Sequence, residues 1–271
     1  MLLAPDRRSA LRAYARQTTR RSGRTFALAC RLLPRDVRDD VHLLYLVLRT
    51  LDDLVDHAMP DADERLGAVE AWADGARPCS PETRVLYALD LRYGLPREAV
   101  RDFCAGMRDD LAGHRPQTEE ELDRYCYRVA GTVGLLMCSL LGTAGDPERA
   151  RATAVALGIA MQRTNILRDL DEDARAGRRY VPAEAVSRFG TPAPGRRAAL
   201  LRDQISRADA YYDQGLSGLS HLRRGRRAVA AAAAMYREIL RQIERDGYGA
   251  TPGRAVVARR RKLLVAARVV R

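Results

Sequence analysis

Apolar residues recur at intervals of three and four along most of the chain, and strand-like alternation is absent, so the pattern predicts helix nearly throughout. Helical segments are expected over 6–20, 22–32, 35–58, 62–75, 81–92, 96–112, 118–142, 147–174, 182–188, 195–222, 225–247 and 253–268. Breaks fall at Pro34, Pro60, Pro78, Gly94-Leu95-Pro96, Pro116, Gly142 to Pro147 and Gly190 to Gly195. Asp36 and Asp146 suit helix N-caps, the second with Pro147 at the first helical position. The Ala228–Ala234 run favours helix, and its small side chains let another helix or an apolar ligand come close. No repeat or long linker divides the chain, so a single helical domain over 1–271 is expected.

Composition narrows the class. The 271 residues are 46% hydrophobic and 30% charged, an ordinary globular balance with enough apolar side chain for a sizeable core. No run of 18 apolar residues exists, so a transmembrane helix is not supported, and the first residues lack the apolar stretch of a signal peptide. The five cysteines are an odd number without CxxC spacing, and Cys30, Cys126 and Cys138 sit in apolar stretches as small core residues. A reduced, cytoplasmic protein is the expectation. The net charge is +12, yet no nucleic-acid recognition motif accompanies it, so nucleic acid is not an expected partner. Basic residues cluster near both ends (Arg7, Arg8, Arg12, Arg16, Arg20, Arg21 and Arg24; Arg259, Arg260, Arg261 and Lys262), which fits a peripheral membrane contact. The four histidines form no ligand-spaced pair, and His57 reads as a solvated residue at a helix end.

The chemistry concentrates in two segments. In Tyr45 to Asp56, Asp52 and Asp56 are four apart and share a helix face with Arg49. Such a pair is often no more than a solvated acidic face. In Gln162 to Asp173, however, Asp169 and Asp173 are again four apart, and steps of four and seven back from Asp169 reach Asn165 and Gln162. Ile159, Ile166 and Leu170 flank that stripe and mark the helix as largely buried. A polar stripe on a buried helix is costly unless it meets metal, water or a charged ligand. Two such faces suit opposite walls of a cavity in a helical bundle, where magnesium ions, which prefer carboxylate oxygen and bridge to phosphate, could grip a diphosphate. Arg168 could supply a further cation to the phosphate.

These segments resemble the paired aspartate-rich motifs of the squalene/phytoene synthase family, and the resemblance runs from about Ser22 to Lys262. Asn165 to Asp169, followed by Gly177-Arg178-Arg179-Tyr180-Val181-Pro182, is similar to phytoene and dehydrosqualene synthases. Tyr125 to Gly134 resembles the family's central helix, and Gly106 to Leu111 matches a further family segment. The resemblance implies an all-α isoprenoid-synthase bundle with a central cavity. It implies head-to-head coupling of two C15 or C20 prenyl diphosphates through a cyclopropyl-carbinyl diphosphate, with two or three magnesium ions. By position Asp52, Asp56, Asn165, Asp169 and Asp173 would hold metal. Arg49, Gln162, Asn165 and Arg168 would contact diphosphate or metal, and Tyr236 matches a tyrosine near the phosphates. Tyr127 would face the reacting carbons; Tyr127 and Tyr236 are the catalytic candidates.

The chain also departs from the family pattern. A Ser-x-Ser-Phe stretch that helps hold phosphate reads Gly23-Arg24-Thr25-Phe26 here, leaving Arg24 and Thr25 as the candidate contacts, and Arg128 stands where squalene synthases carry a tyrosine. No nicotinamide-binding fingerprint is present, so a cofactor-free outcome of the phytoene type is favoured over reductive squalene formation. Two other outcomes stay open on the same fold: transfer to an aromatic acceptor, and cyclisation of one prenyl chain. A basic helical adaptor without catalysis is the reading from another class.

Overall fold

A computed structural model describes the backbone of residues 5–270 and the side chains of residues 8–269; Met1 to Ala4 and the Arg7 side chain of the N-terminal basic cluster lie outside the described residues. The fold is all-α. The helices are α1 (Pro5–Ser22), α2 (Arg24–Cys30), α3 (Arg35–Asp56), α4 (Ala62–Ala73), α5 (Pro81–Tyr93), α6 (Arg97–Leu111), α7 (Glu119–Cys126), α8 (Thr132–Leu141), α9 (Pro147–Arg175), α10 (Ala183–Phe189), α11 (Ala198–Ser217), α12 (Arg226–Arg245) and α13 (Arg259–Val270). Among the described residues no strand forms; one isolated antiparallel bridge joins Thr143 to Leu222.

Two helices carry the architecture. Helix α3 buries Leu44, Val47, Leu51 and Leu54 in the largest apolar cluster, beside Trp72 of α4 and Phe103 of α6. Helix α9 spans 29 residues, about 43 Å at the usual rise, and packs against α8, α11 and α12. Its start is set as expected: the Asp146 carboxylate accepts from the backbone N–H groups of Glu148 and Arg149 at 2.9 and 3.1 Å, with Pro147 next. Asp36 is not the cap of α3. The helix begins after Pro34, which leaves Asp36 inside the first turn, where its charge suits the helix dipole and pairs with Arg224 at 2.7 Å.

The side of α9 away from its polar stripe is fixed by one buried cation. Arg163, 2% exposed, donates to Asp123 of α7 at 2.8 Å, Glu119 of α7 at 2.8 Å and Gln204 of α11 at 3.2 Å. Every arm of the guanidinium has an acceptor, which is what a buried charge requires. The network ties three helices and sets the rotation of α9, so that Gln162 and Asn165 turn the other way.

The structure interrupts the expected 118–142 helix. Tyr127–Gly131 form a π-turn between α7 and α8, one extra residue in the ladder. The next turn crosses α9 at backbone contact: a Cβ on Gly134 would lie 2.2 Å from the Ala154 carbonyl oxygen, and one on Gly158 would lie 2.3 Å from that of Ala130. Glycine is demanded on both helices. The expected 195–222 helix ends at Ser217, because Gly218 presses against Thr153, and a short 3-10 turn, Leu219–His221, follows. The last helix starts at Arg259 rather than near 253. Gly253 has a φ of 129°, outside the helical region, and residues 250–258 run irregularly before α13.

Gly134→Ala costs on the order of 1–3 kcal/mol through overpacking against the Ala154 carbonyl. Denaturant unfolding reads this directly, and a variant as stable as the parent would sink the close-approach account.

Candidate active site

The C-terminal halves of α3 and α9 bring their aspartates to the same end of the bundle. Arg49 on α3 donates to Asp52 at 2.6 Å and also to Asp53. On α9, Arg168 pairs with Asp169 at 2.5 Å, and Asn165 donates to Gln162 at 3.2 Å. One side chain touches both walls: Arg178 lies 2.5 Å from Asp56 of α3 and 3.6 Å from Asp173 of α9. The two acidic faces therefore stand opposite one another across a gap that one guanidinium spans.

Beneath that gap lies a cavity of about 910 Å³. Its mouth is polar, formed by Arg49 and Asp52 from α3, by Gln162, Asn165 and Arg168 from α9, and by Tyr236 from α12. Arg24, Thr25, Arg254 and Lys262 complete that rim. The depth is apolar and built from small or flexible side chains, among them Cys30, Gly134, Cys138, Ala154 and Ala232. Gly134 and Ala232 thus serve both close helix packing and the cavity wall. Tyr45 lines the wall with its ring stacked on Phe26, centroids 5.3 Å apart, and burial pushes its hydroxyl up to about 12. Burial likewise raises Tyr236, so both phenols stay protonated and able to donate.

Electrostatics sharpen the picture. Burial raises Asp52 from 3.8 to about 7 despite Arg49, with Asp56 and Asp53 adding to the rise. Burial raises Asp173 to about 6, against the pull of Arg178 and with the help of Asp169 and Asp56. On α6, burial raises Asp110 to about 6 although the hydroxyls of Tyr180 and Tyr125 donate to it at 2.8 and 3.0 Å. Negative charge on these walls is under-compensated by the protein alone. The Asn165 side-chain oxygen is buried and has no hydrogen-bond partner. An orphaned hard oxygen among strained carboxylates fits a divalent cation such as magnesium. Among the described residues no three His, Cys, Asp or Glu side chains converge to cage a cation unaided. Magnesium does not require that, since it keeps waters and phosphate oxygens in its shell and takes one or two carboxylates from the protein.

Comparison with known proteins gives this site its context. The family model described as squalene/phytoene synthase matches residues 19–262. The chain belongs to the squalene/phytoene synthase family. It is 34% identical to a phytoene synthase of Arthrospira platensis, over 96% of this chain and 92% of that one. With a phytoene synthase of Thermus thermophilus it shares 38% identity over 91% of this chain and 86% of the relative. Among solved structures it superposes on a dehydrosqualene synthase bound to a ligand with a TM-score of 0.86, at 28% identity over 96% of this chain and 95% of that one. A squalene synthase from Alicyclobacillus acidocaldarius gives a TM-score of 0.79 at 27% identity, covering 92% and 98% of the two chains. Membership makes the protein a prenyltransferase of the head-to-head class with the isoprenoid-synthase fold. The adaptor reading falls with it, and the aromatic-acceptor and cyclisation readings gain nothing from these relatives.

Of the family residues inferred from sequence, Arg24, Thr25, Arg49, Asp52, Gln162, Asn165, Arg168 and Tyr236 all line the one cavity. Asp169 adjoins the cavity lining through its pairing with Arg168 and Arg254, whereas Asp56 and Asp173 lie outside the lining and are joined to one another through Arg178. Tyr127 lies apart from all of these. It opens the π-turn, and its hydroxyl donates to Asp102 of α6 at 2.7 Å; it does not line the cavity, whereas Val129, Ala130 and Val133 do. The expectation that Tyr127 faces the reacting carbons is corrected accordingly. Arg128, in the position of the squalene synthase tyrosine, pairs with Asp109 at 2.7 Å.

The altered Gly23-Arg24-Thr25 wall also has a physical account. A Cβ on Gly23 would lie 2.7 Å from the Tyr45 hydroxyl, so the missing serine makes room for that phenol. Lys262 donates to Thr25 at 2.8 Å and brings a cation to the same wall. Arg254 was not legible as a site residue. It reaches Asp169 at 2.9 Å and Glu172 at 3.6 Å because Asp171 accepts the Gly253 N–H at 2.7 Å and so pins the irregular segment beneath α9. Asp171 is itself held by buried Arg197 at 2.6 and 2.9 Å.

The folded state holds the Asp52 proton more tightly than the unfolded chain does, so metal-free stability falls as pH rises from 3.8 to about 7. Asp52→Asn is expected to raise the metal-free melting temperature at about pH 8, with the gain vanishing near pH 4. A variant that melts below the parent at the higher pH would contradict the charge strain described for this wall.

Proposed function

We propose that the protein joins two C20 prenyl diphosphates head-to-head with magnesium and releases diphosphate, giving a hydrocarbon of the phytoene type. The observation that carries this is the two-part cavity: a cationic and carboxylate-rich mouth set directly over an apolar chamber of about 910 Å³. The resemblance to phytoene synthases supports the C20 length, and the small side chains in the depth leave room for long chains.

Each part of the cavity then has a task. Arg49, Arg168, Arg254 and Lys262 draw the diphosphate to the mouth and hold it, and Thr25 and the neutral hydroxyl of Tyr236 can donate to its oxygens. Asp52, Asp56, Asn165, Asp169 and Asp173 would hold magnesium, which when bound neutralises the charge of the leaving group. Burial, with Arg168, Arg254 and Arg24 nearby, lowers the Lys262 pKa; a diphosphate anion beside it favours the charged form. As the allylic carbon–oxygen bond breaks, the cation remains over the apolar wall, where Tyr45, Val129 and Met137 keep water away. The second chain attacks from within the same chamber and sheds a proton, giving a cyclopropyl-carbinyl diphosphate; loss of its diphosphate and of a further proton gives the hydrocarbon, with the released diphosphates able to take up both protons.

A peripheral bilayer contact belongs to the same reading, because the product is apolar. No described helix is long and apolar enough to cross a membrane. Helix α13, which supplies Lys262 to the mouth, leaves Leu263 and Leu264 45% and 56% exposed, with exposed Arg259 and Arg260 on its first turn. Sedimentation with anionic vesicles is expected to be salt-sensitive and weakened by Leu264→Glu; equal binding to neutral vesicles would remove the electrostatic part of this reading.

Incubation with magnesium and C20 diphosphate should yield the C40 product and free diphosphate by mass analysis, more efficiently than with C15 diphosphate. Asp169→Ala should lower turnover by on the order of a thousandfold or more with helical content unchanged, and magnesium plus a non-hydrolysable prenyl diphosphate should raise the melting temperature of the parent. Undiminished turnover in the variant, or no thermal shift at saturating ligand, would refute the assignment of these residues.

A further inference from the structure

The guanidinium of Arg178 occupies the space between the two acidic walls. It meets Asp56 of α3 at 2.5 Å and approaches Asp173 of α9 at 3.6 Å, 122 residues away in sequence from the first of these partners. Nothing about this position is incidental. The backbone N–H of Arg178 donates to the Asp173 carbonyl at 2.8 Å as α9 ends, which fixes one side of the segment. Two residues on, the Tyr180 hydroxyl donates to Asp110 at 2.8 Å, and its ring stacks on Tyr125 with centroids 5.0 Å apart. The Tyr125 hydroxyl donates to the same carboxylate at 3.0 Å. The chain on either side of Arg178 is thereby anchored, and only the side chain reaches into the gap.

That reach is incomplete as a salt bridge. The Arg178 Nε is buried and has no hydrogen-bond partner, and its distance to Asp173 is longer than a hydrogen bond. Here the cation holds Asp56 closely and Asp173 only loosely, and both carboxylates are ones the proposed function assigns to magnesium.

We propose that Arg178 is a built-in stand-in for the metal, a tethered cation that holds Asp56 and Asp173 together in the empty enzyme and must yield them when magnesium binds. This rests on the metal site proposed above. It gives the guanidinium two effects of opposite sign. In the metal-free protein it screens like charges on two helices that would otherwise repel. Toward an arriving divalent ion it is a competitor for the same oxygens, so it weakens metal binding in the absence of substrate. Because Tyr180 and the end of α9 keep the segment in place, a displaced Arg178 side chain stays within reach of the mouth and still contributes positive charge there.

The test needs no prenyl substrate. Manganese, a paramagnetic substitute for magnesium, is titrated into the metal-free full chain, with binding followed by electron paramagnetic resonance and stability by thermal unfolding. Arg178→Gln should bind manganese more tightly than the parent, on the order of tenfold, and should melt lower without metal. Saturating manganese should close that gap in melting temperature. Arg178→Lys, which restores the charge, should return affinity toward the parent value and covers the case in which the glutamine variant folds poorly. Equal or weaker manganese binding by Arg178→Gln, with clear binding by the parent, would overturn the stand-in role alone. If neither protein binds manganese at millimolar concentration, the metal site itself fails and the proposal with it.

Discussion

Like charge facing like charge across a narrow gap is the constraint on which the rest of the molecule depends. Helices α3 and α9 each end in aspartates at helical spacing, and the bundle presses those ends toward one another. Burial first, and the neighbouring carboxylates after it, raise Asp52 and Asp173, so the charged form of these side chains is disfavoured in the protein alone. The fold tolerates this because the apolar cluster around Leu44, Leu51 and Trp72 and the buried Arg163 network fix the helices from behind. Stability stored in the rear of the bundle thus maintains a front that is waiting for positive charge.

The apolar chamber follows from a second geometric fact, the backbone-level crossing of α8 and α9. Glycines at 134 and 158 allow that approach, and the π-turn before α8 adjusts the phase of the chain as it enters the crossing. The turn leaves Val129, Ala130 and Val133 on the cavity wall while Tyr127 bonds to Asp102 instead. Polar mouth and oily depth are therefore set by different helix ends and can vary separately.

Much of this was legible in the sequence where the signal is local and periodic. Spacing of four placed Asp52 with Asp56 and Asp169 with Asp173, and the Asp146-Pro147 pair located the start of α9. What escaped depends on contacts distant in sequence. Arg254 lies in a stretch whose composition permits helix, and the capture of the Gly253 N–H by Asp171, 82 residues earlier, with the pairing of Arg254 to Asp169, ties it to α9 instead. The Thr25–Lys262 bond joins opposite ends of the chain. The π-turn has no pattern of its own, since one extra residue in a helical ladder leaves the apolar periodicity nearly intact. The role of Gly23 is set by the Tyr45 phenol that fills its place, a contact 22 residues away in sequence.

Arginine supplies 46 of the chain's 47 basic side chains, and the exception, Lys262, sits in the rim of the cavity. Burial beside three arginines lowers its pKa, so it carries a larger share of neutral, nucleophilic amine than a surface lysine would. The protein consequently presents one side-chain primary amine to acylating reagents, located on the polar rim of the cavity. Modification of that single group is a chemical reporter of whether the chamber is vacant or occupied.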